Sequence, residues 1–172
     1  TVAVLVSCDG ADASESSLLR SICPLSTILH AAGAGDKGLL IELAAQRVQW
    51  TYASKAMGAW YLQCVAASAP LEVRALFSSV ASGLGNVGQA NYAAGNAHLD
   101  AHALSQRAHG TVAYSLQWPL VGGAGMGAAA FAAIGERQVV IAGLAGISLE
   151  EYAACLGAQL AAGMGVAWSV QV

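Results

Sequence analysis

Four polar side chains in this sequence have the types and spacing that the reduction of a carbonyl group requires. Ser79 ends a short apolar run, and Tyr92 and Asn96 follow it at i and i+4 spacing, which places both on one face of a helix. Lys55 lies in a helical region that precedes the serine. A tyrosine is a poor proton donor at neutral pH unless a nearby cation favours its phenolate, and a lysine supplies that cation. We therefore predict that the serine holds a substrate carbonyl and the tyrosine protonates its oxygen, while a nicotinamide supplies hydride.

Spacing alone leaves ordinary structural roles open for the same residues. Lys55 could be solvated, Ser79 could cap a helix and Tyr92 could line a helix surface. His98 and His102 also stand at i and i+4, but no third ligand is near them in sequence. We therefore predict that the chain binds no metal ion.

The elements that would position these side chains are short buried strands that alternate with helices. Apolar, β-branched runs predict strands over residues 1–8, 26–31, 74–79, 112–117 and 166–170. Helical patterns and capping signals predict helices over residues 12–22, 39–67, 89–109, 128–134 and 148–162. We expect a bend in the second helix near residues 50–54 and a glycine-punctuated loop over residues 80–88. This alternation implies βαβ crossovers, so we predict an α/β fold with a doubly wound parallel sheet.

In a doubly wound sheet the ligand binds beyond the carboxyl ends of the strands. The polar residues at the predicted strand ends are Asp9, His30, Ser79 and Trp118. The small residues after His30 form a stretch along which a ligand can approach the backbone closely. The sequence thus predicts one ligand site along this edge of the sheet.

The composition limits the class of protein and the kinds of partner. The chain has 172 residues, which is about one domain, and its net charge is −3. We therefore predict no nucleic-acid partner. Only 10% of the residues are charged and 56% are hydrophobic, so we expect other protein to cover part of the exterior. Glycines interrupt the two long uncharged runs, residues 110–135 and 152–172, so we predict no membrane span. The four cysteines are far apart in the sequence, so we predict reduced thiols and a cytoplasmic location.

Several motifs resemble those of one enzyme family. The segment over residues 76–101, which reads LFSSVASGLGNVGQANYAAGNAHLDA, resembles the signature of the ketoreductase domains of modular type I polyketide synthases. These domains belong to the short-chain dehydrogenase/reductase superfamily. The motifs HAAG at 30–33, KAMGAW at 55–60 and SLQW at 115–118 are similar to further segments of that family. The resemblance covers essentially the whole chain and implies a Rossmann-like sheet.

The resemblance also implies roles for individual residues. It makes Ser79, Tyr92, Asn96 and Lys55 the catalytic set. It assigns cofactor contacts to Asp9, His30, Ala31, Ala32 and Gly33. It assigns substrate contacts to Trp118, Leu84, Gln89 and Asp36. The implied cofactor is NADPH, and the implied partner is an acyl carrier protein whose phosphopantetheine arm carries the 3-ketoacyl chain that is reduced.

The family's glycine-rich, pyrophosphate-binding turn does not stand before Thr1. We therefore expect residues 1–172 to be part of a ketoreductase domain that starts near its third strand and lacks the N-terminal strands. Its partners would then include the N-terminal half and other synthase domains. Two alternatives stay open: a structural, non-catalytic reductase fragment, and a ketoreductase of a fatty acid synthase.

The configuration of the product hydroxyl depends in this family on residues near the site. B-type domains usually carry an L-D-D motif after HAAG, and the matching residues here are Gly35, Asp36 and Lys37. A-type domains usually carry a tryptophan where this chain has Leu84. The B-type is favoured because that tryptophan is absent and because Asn91 directly precedes Tyr92.

Overall fold

Within the residues that the structure describes, the centre of the fold is a parallel sheet of three strands. The computed structural model describes residues 8–19, 26–123, 125, 127 and 146–163. Its strands are β1 (Thr27–His30), β2 (Val73–Ser79) and β3 (Ala113–Trp118), in the spatial order β1-β2-β3. These confirm three of the predicted strands and the α/β class with a parallel sheet. The predicted strands over 1–8 and 166–170, apart from Cys8, and the helical stretch over 128–134 lie outside the described residues.

The helices alternate with the strands along the chain. They are α1 (Ala13–Leu18), α2 (Ala45–Tyr52), α3 (Gly58–Val65), α4 (Ala81–Leu84), α5 (Ala90–Ala108) and α6 (Leu149–Gly163). A short 3₁₀ turn, Leu40–Glu42, precedes α2. A π-helical segment, Ala53–Met57, joins α2 to α3, slightly beyond the predicted bend. Among the described helices, none has both the length and the apolar character needed to cross a bilayer.

Both faces of β2 and β3 are covered, which explains why these strands read as nearly continuous apolar runs, whereas β1 leaves Thr27 and Leu29 exposed on one face. Side chains alternate between the two faces along each strand. On one face, Leu76 of β2 packs against α3 and α5 in a cluster that also contains Ala59, Leu99, Ala103 and Ala113. On the other face, α6 packs through Leu156 and Leu160 against Val73, Ala75, Tyr114 and Leu116. Helix α5 is thus held on one side of β2 and α6 on the other.

Helix α5 ends where its sequence predicts. Gly110 adopts a positive φ of 82° just after the C-cap. Its N–H bonds to the carbonyl of Arg107, and the N–H of Thr111 bonds to the carbonyl of Gln106. This pattern is a Schellman motif, in which glycine is favoured because it has no Cβ. The long helix that carries Tyr92 is therefore closed at its far end.

Two local predictions need correction. The predicted loop over 80–88 contains the short helix α4, and the turns that follow use Gly85 and Gly88, each with a φ of 71°. At the start of α1, Asp12 accepts bonds from the N–H groups of Ser14 and Glu15, but the Glu15 carboxylate bonds to the N–H of Asp9. The capping signal at Asp12 is therefore only half formed, because the Asp12 side chain caps α1 while the Glu15 side chain bonds instead to Asp9.

Candidate active site

The last three residues of β2 build one wall of the site. Lys55 Nζ donates to the carbonyl oxygen of Phe77 over 3.0 Å. The hydroxyl of Ser78 donates to the carbonyl oxygen of Asn96 over 3.2 Å. The hydroxyl oxygen of Ser79 accepts from the N–H of Ala81 over 3.2 Å, at the point where the strand turns into α4. The strand end is thus tied to both helical elements that carry predicted catalytic residues.

Tyr92 and Asn96 lie on successive turns of α5, facing Lys55. The ammonium of Lys55 lies 5.5 Å from the centroid of the Tyr92 ring, within the range of a cation–π contact. Asn96 Nδ2 donates to the carbonyl oxygen of Tyr92 over 2.9 Å. The structure therefore brings Lys55 over the ring of Tyr92, and Asn96 bonds to the backbone of Tyr92 one turn further along α5. Ser79 is connected to these residues through β2, because the two residues before it, Phe77 and Ser78, bond to Lys55 and Asn96 respectively.

The environment of Lys55 perturbs its acidity. Its side chain is only 3% exposed. Burial lowers the pKa of Lys55 to about 8, and the negative charge of Asp100 acts in the opposite direction. A pKa this close to neutrality suits a group that takes part in proton transfer.

Asp100 collects polar contacts from both neighbouring strands. Its carboxylate accepts from the hydroxyl of Ser115 and from Nε2 of Gln117, the latter over 2.8 Å. Burial tends to raise the pKa of Asp100, but hydrogen bonds from Ser115, Ser82, Gln117 and Ser78 together hold it below its usual range. Asp100 is therefore a half-buried negative charge behind the site, and the sequence analysis assigned it no role.

The predicted cofactor side lies at the carboxyl end of β1. His30 is buried, its Nε2 lies 3.1 Å from the carbonyl oxygen of Lys55, and burial lowers its pKa. A Cβ at Gly58 would stand 3.0 Å from His30 Cε1, so glycine lets the imidazole ring lie against α3. Beyond the strand, the small residues Ala31, Ala32 and Gly33 are exposed. Exposed backbone without bulky side chains at a strand end fits a flat, extended ligand.

Asp9 lies on the exposed turn before α1. Its Oδ1 accepts from the N–H of Ala11 over 2.9 Å, and its carbonyl accepts from the N–H of Asp12. The side chain is exposed. Asp9 is thus held in a fixed turn, and its contact with a cofactor stays a prediction.

The residues predicted to touch substrate are spread over two loops and a strand end. Leu84 is 67% exposed at the end of α4. Gln89 stands at the N-cap of α5, where its Oε1 accepts from Asn86 Nδ2 over 2.6 Å. Both are thus near the start of the helix that carries Tyr92, where a substrate could reach them.

Trp118 has a different environment. Its ring packs against Phe77 and Tyr152, with centroids 6.0 and 4.5 Å away. These contacts belong to the cluster between the sheet and α6. The structure therefore shows Trp118 as a packing residue, and its contact with substrate stays a prediction.

Asp36 is not free to point at a ligand. Its carboxylate accepts from the guanidinium of Arg47 and from Asn91 Nδ2. Asn91 Nδ2 also donates to the hydroxyl oxygen of the fully buried Thr51. Sequence reasoning had no role for Arg47 or Thr51, although Thr51 stands four residues before Lys55, a spacing that signals a shared helix face.

Comparison with known proteins gives a consistent result. The model of the KR domain family matches residues 2–123. The spectinabilin polyketide synthase system protein NorB of Streptomyces orinoci is 42% identical over 161 residues, which are 91% of this chain and 7% of that protein. The polyketide synthase GfsA of Streptomyces halstedii is 44% identical over 119 residues, 67% of this chain and 2% of that protein.

Solved structures agree with the sequence relatives. A structure of A-type ketoreductases from a modular polyketide synthase superimposes with a TM-score of 0.81 at 30% sequence identity. The match covers 92% of this chain and 34% of that one. The chain thus spans less than a tenth of these two curated relatives and about a third of the matched structure.

Proposed function

This chain belongs to the KR domain family, the ketoreductase domains of polyketide synthases, and on that basis we propose that it takes part in the NADPH-dependent reduction of a 3-ketoacyl thioester to the 3-hydroxyacyl thioester. The observation that carries the proposal is the buried Lys55 ammonium over the Tyr92 ring. A cation beside a phenol supports proton donation at a pH where an isolated tyrosine is a poor acid.

Each residue of the site has a defined task in this proposal. The hydroxyl of Ser79 donates a hydrogen bond to the substrate carbonyl, and the hydroxyl of Tyr92 delivers a proton to that oxygen. Lys55 stabilises the negative charge that the phenol acquires. When bound, NADPH supplies the hydride for the carbonyl carbon.

The side-chain oxygen of Asn96 is available to take part in a proton pathway. The residue is fully buried, and Nδ2 is used by the carbonyl of Tyr92. Within the described part of the chain, no donor lies within hydrogen-bond distance of its Oδ1. Buried acceptors are normally satisfied, so this oxygen is suited to hold a water molecule that resupplies the proton.

The residues that would hold the cofactor are Asp9 and the segment His30, Ala31, Ala32 and Gly33. The exposed small residues beside the buried imidazole fit the nicotinamide side of NADPH. The preference for NADPH over NADH rests on the family alone. We expect the pyrophosphate to be bound by the N-terminal half of the domain.

The relatives support a proposal about the partners. Those proteins are polyketide synthases of which this chain matches a small part. We therefore propose that the chain works beside other synthase domains and receives its substrate from an acyl carrier protein, on a phosphopantetheine arm. The configuration of the product hydroxyl is expected to be that of a B-type domain.

A direct assay tests the proposal. The full-length protein that contains this chain should oxidise NADPH in the presence of a 3-ketoacyl thioester, and NADH should support a much lower rate. The measurement is the decrease in nicotinamide absorbance, together with detection of the 3-hydroxy product by mass spectrometry. Binding of NADPH without any turnover of either a polyketide-type or a linear fatty 3-ketoacyl thioester would favour the non-catalytic alternative. Preference for the linear substrate would favour the fatty acid synthase alternative.

The charge of Asp100 should set the upper pH limit of turnover. Asp100 raises the pKa of Lys55, so Asp100→Asn should let that pKa fall below about 8. Lys55 would then lose its proton at lower pH, and the alkaline limb of the kcat profile should move down by roughly half a pH unit. The measurement is kcat between pH 6 and 10. Glu72→Gln, a carboxylate-to-amide change at an exposed position, should leave the limb in place. An Asp100→Asn profile that superimposes on the wild type would rule out this coupling.

A further inference from the structure

A single carboxylate, Asp36, connects the loop after β1 to two helices. Its Oδ2 accepts from Asn91 Nδ2 over 3.1 Å. Its Oδ1 accepts from the guanidinium of Arg47 on α2 and from the N–H of Lys37. The side chain is 13% exposed. The hydrogen bond from Arg47, more than any other contact, lowers the pKa of Asp36, so the carboxylate is ionised at neutral pH.

Asn91, the partner of Asp36, holds the peptide that carries Tyr92. The first turn of a helix has N–H groups without partners inside the helix, and α5 has no side-chain cap at Gln89. Asn91 Oδ1 accepts from the N–H of Tyr92 over 2.9 Å and so satisfies one of these groups. The negative charge of Asp36 next to this turn also complements the positive end of the helix dipole.

Asn91 also fixes how α5 lies against the helix that carries Lys55. Asn91 Nδ2 donates to Thr51 Oγ1 over 3.2 Å. Four residues further along both helices, a Cβ at Gly95 would lie 3.6 Å from Lys55 Cβ. The helices therefore meet at two successive levels. One is the Asn91–Thr51 bond, and the other is the close approach of Gly95 and Lys55.

The loop after β1 is itself held in place on both sides. The N–H of Gly38 donates to the carbonyl oxygen of Gly88 over 2.9 Å, in the turn just before α5. The guanidinium of Arg47 donates to the carbonyl oxygen of Lys37 over 2.7 Å. These bonds leave Asp36 little freedom to leave Asn91.

We propose that Asp36 and Asn91 are positioning residues, which together hold Tyr92 at its working distance from Lys55. Asp36 then acts through Asn91 and does not need to touch the substrate. This proposal rests on the proposed function, because it concerns the geometry of the proton donor. A displacement of about 1 Å between reacting groups can cost a hundredfold in rate, so loss of this link should reduce turnover.

An exchange of the two side chains tests the proposal in the full-length protein. Asn91→Asp places two carboxylates against each other, and kcat should fall at least about tenfold while the KM for NADPH stays within about twofold. Asp36→Asn combined with Asn91→Asp restores an amide-to-carboxylate bond and should recover most of kcat. Glu72→Gln serves as the matched control. A wild-type kcat for Asn91→Asp, or a double variant no faster than the single one, would overturn the proposal.

A second variant covers the case in which Asn91→Asp does not fold. Asp36→Ala changes a loop residue and should keep the fold, with a smaller loss of kcat. Hydrogen exchange at the N–H of Tyr92 should be faster in this variant than in the wild type, because its acceptor Asn91 has lost a restraint. This readout needs no turnover, so it separates failure of the positioning proposal from failure of the proposed function. Unchanged exchange and unchanged kcat in Asp36→Ala would refute the positioning role.

Discussion

Replacing Tyr92 with phenylalanine should lower kcat for the 3-ketoacyl thioester by at least about a hundredfold, because the variant has no acidic proton to deliver. The aromatic ring stays, so its contact with the Lys55 ammonium is retained. The backbone contacts of residue 92 with Asn91 and Asn96 do not involve the hydroxyl and should also remain. We therefore expect kcat to fall while NADPH affinity and thermal stability stay close to the wild type.

Tyr61→Phe on α3 is the matched control for this experiment. It removes a phenolic hydroxyl of the same kind from a half-buried position that contributes none of the site contacts described above. Its kcat should equal that of the wild type. Near-normal turnover by Tyr92→Phe would show that another group donates the proton, and the proposed roles of Lys55 and Asn96 would then need a different basis.

Lys55→Met should lower kcat by about a hundredfold or more and at the same time stabilise the folded protein near neutral pH. The activity falls because the cation beside Tyr92 is lost. Stability rises because burial opposes the charged ammonium, as its pKa of about 8 against the usual 10.5 shows. This difference corresponds to a gain of about 3 kcal/mol in the free energy of unfolding, reduced in part by the lost bond to the Phe77 carbonyl.

The stability difference should depend on pH in a defined direction. Below about pH 8 the folded wild type carries the full cost of burying the charge. Between about pH 8 and 10.5 the folded lysine is neutral while the unfolded lysine still binds a proton, so the wild type gains stability as pH rises. Lys55→Met should therefore be more stable than the wild type at pH 7 and lose that advantage towards pH 10.5.

Denaturant unfolding at several pH values measures this trend. Lys37→Met provides the matched control, because Lys37 is exposed and its charge is hydrated in both states. That variant should show no pH-dependent gain. A Lys55→Met protein that is less stable than the wild type at pH 7 would mean that the Phe77 bond outweighs the cost of burial.

The strands and the long helix were predictable from the sequence because their signals are local. Each described strand is a short run of apolar or β-branched residues between turn signals, and burial on both faces of β2 and β3 leaves little polar alternation in their sequences. Gly110 ended α5 at the expected residue because its positive φ is a property of glycine itself. The i and i+4 spacing of Tyr92 and Asn96 likewise placed both on the α5 face that meets Lys55.

Features that depend on contacts between distant segments were not predictable. Asp36 and Asn91 are 55 positions apart in the chain, and nothing near either one shows that they bond. Trp118 lies on the same face of β3 as Leu116, but the contact that covers its ring there depends on how α6 packs, through Tyr152. Helix α4 has only four residues, two of them serine and glycine, so its sequence carries little helical signal.

The π-helical segment Ala53–Met57 determines how α3 is rotated about the helix axis relative to α2. The N–H of Gly58 bonds to the carbonyl of Ala53, five residues back, so this turn holds one residue more than an α-helical turn. Thr51 and Lys55 face α5 from one half, while Gly58 faces His30 from the other. If this segment became regular α-helix with all its residues kept, the second half would rotate by about 100° and turn Gly58 away from the imidazole. The wide turn therefore accommodates one additional residue, and an engineered version of this domain has to preserve this π-helical turn between Thr51 and Gly58.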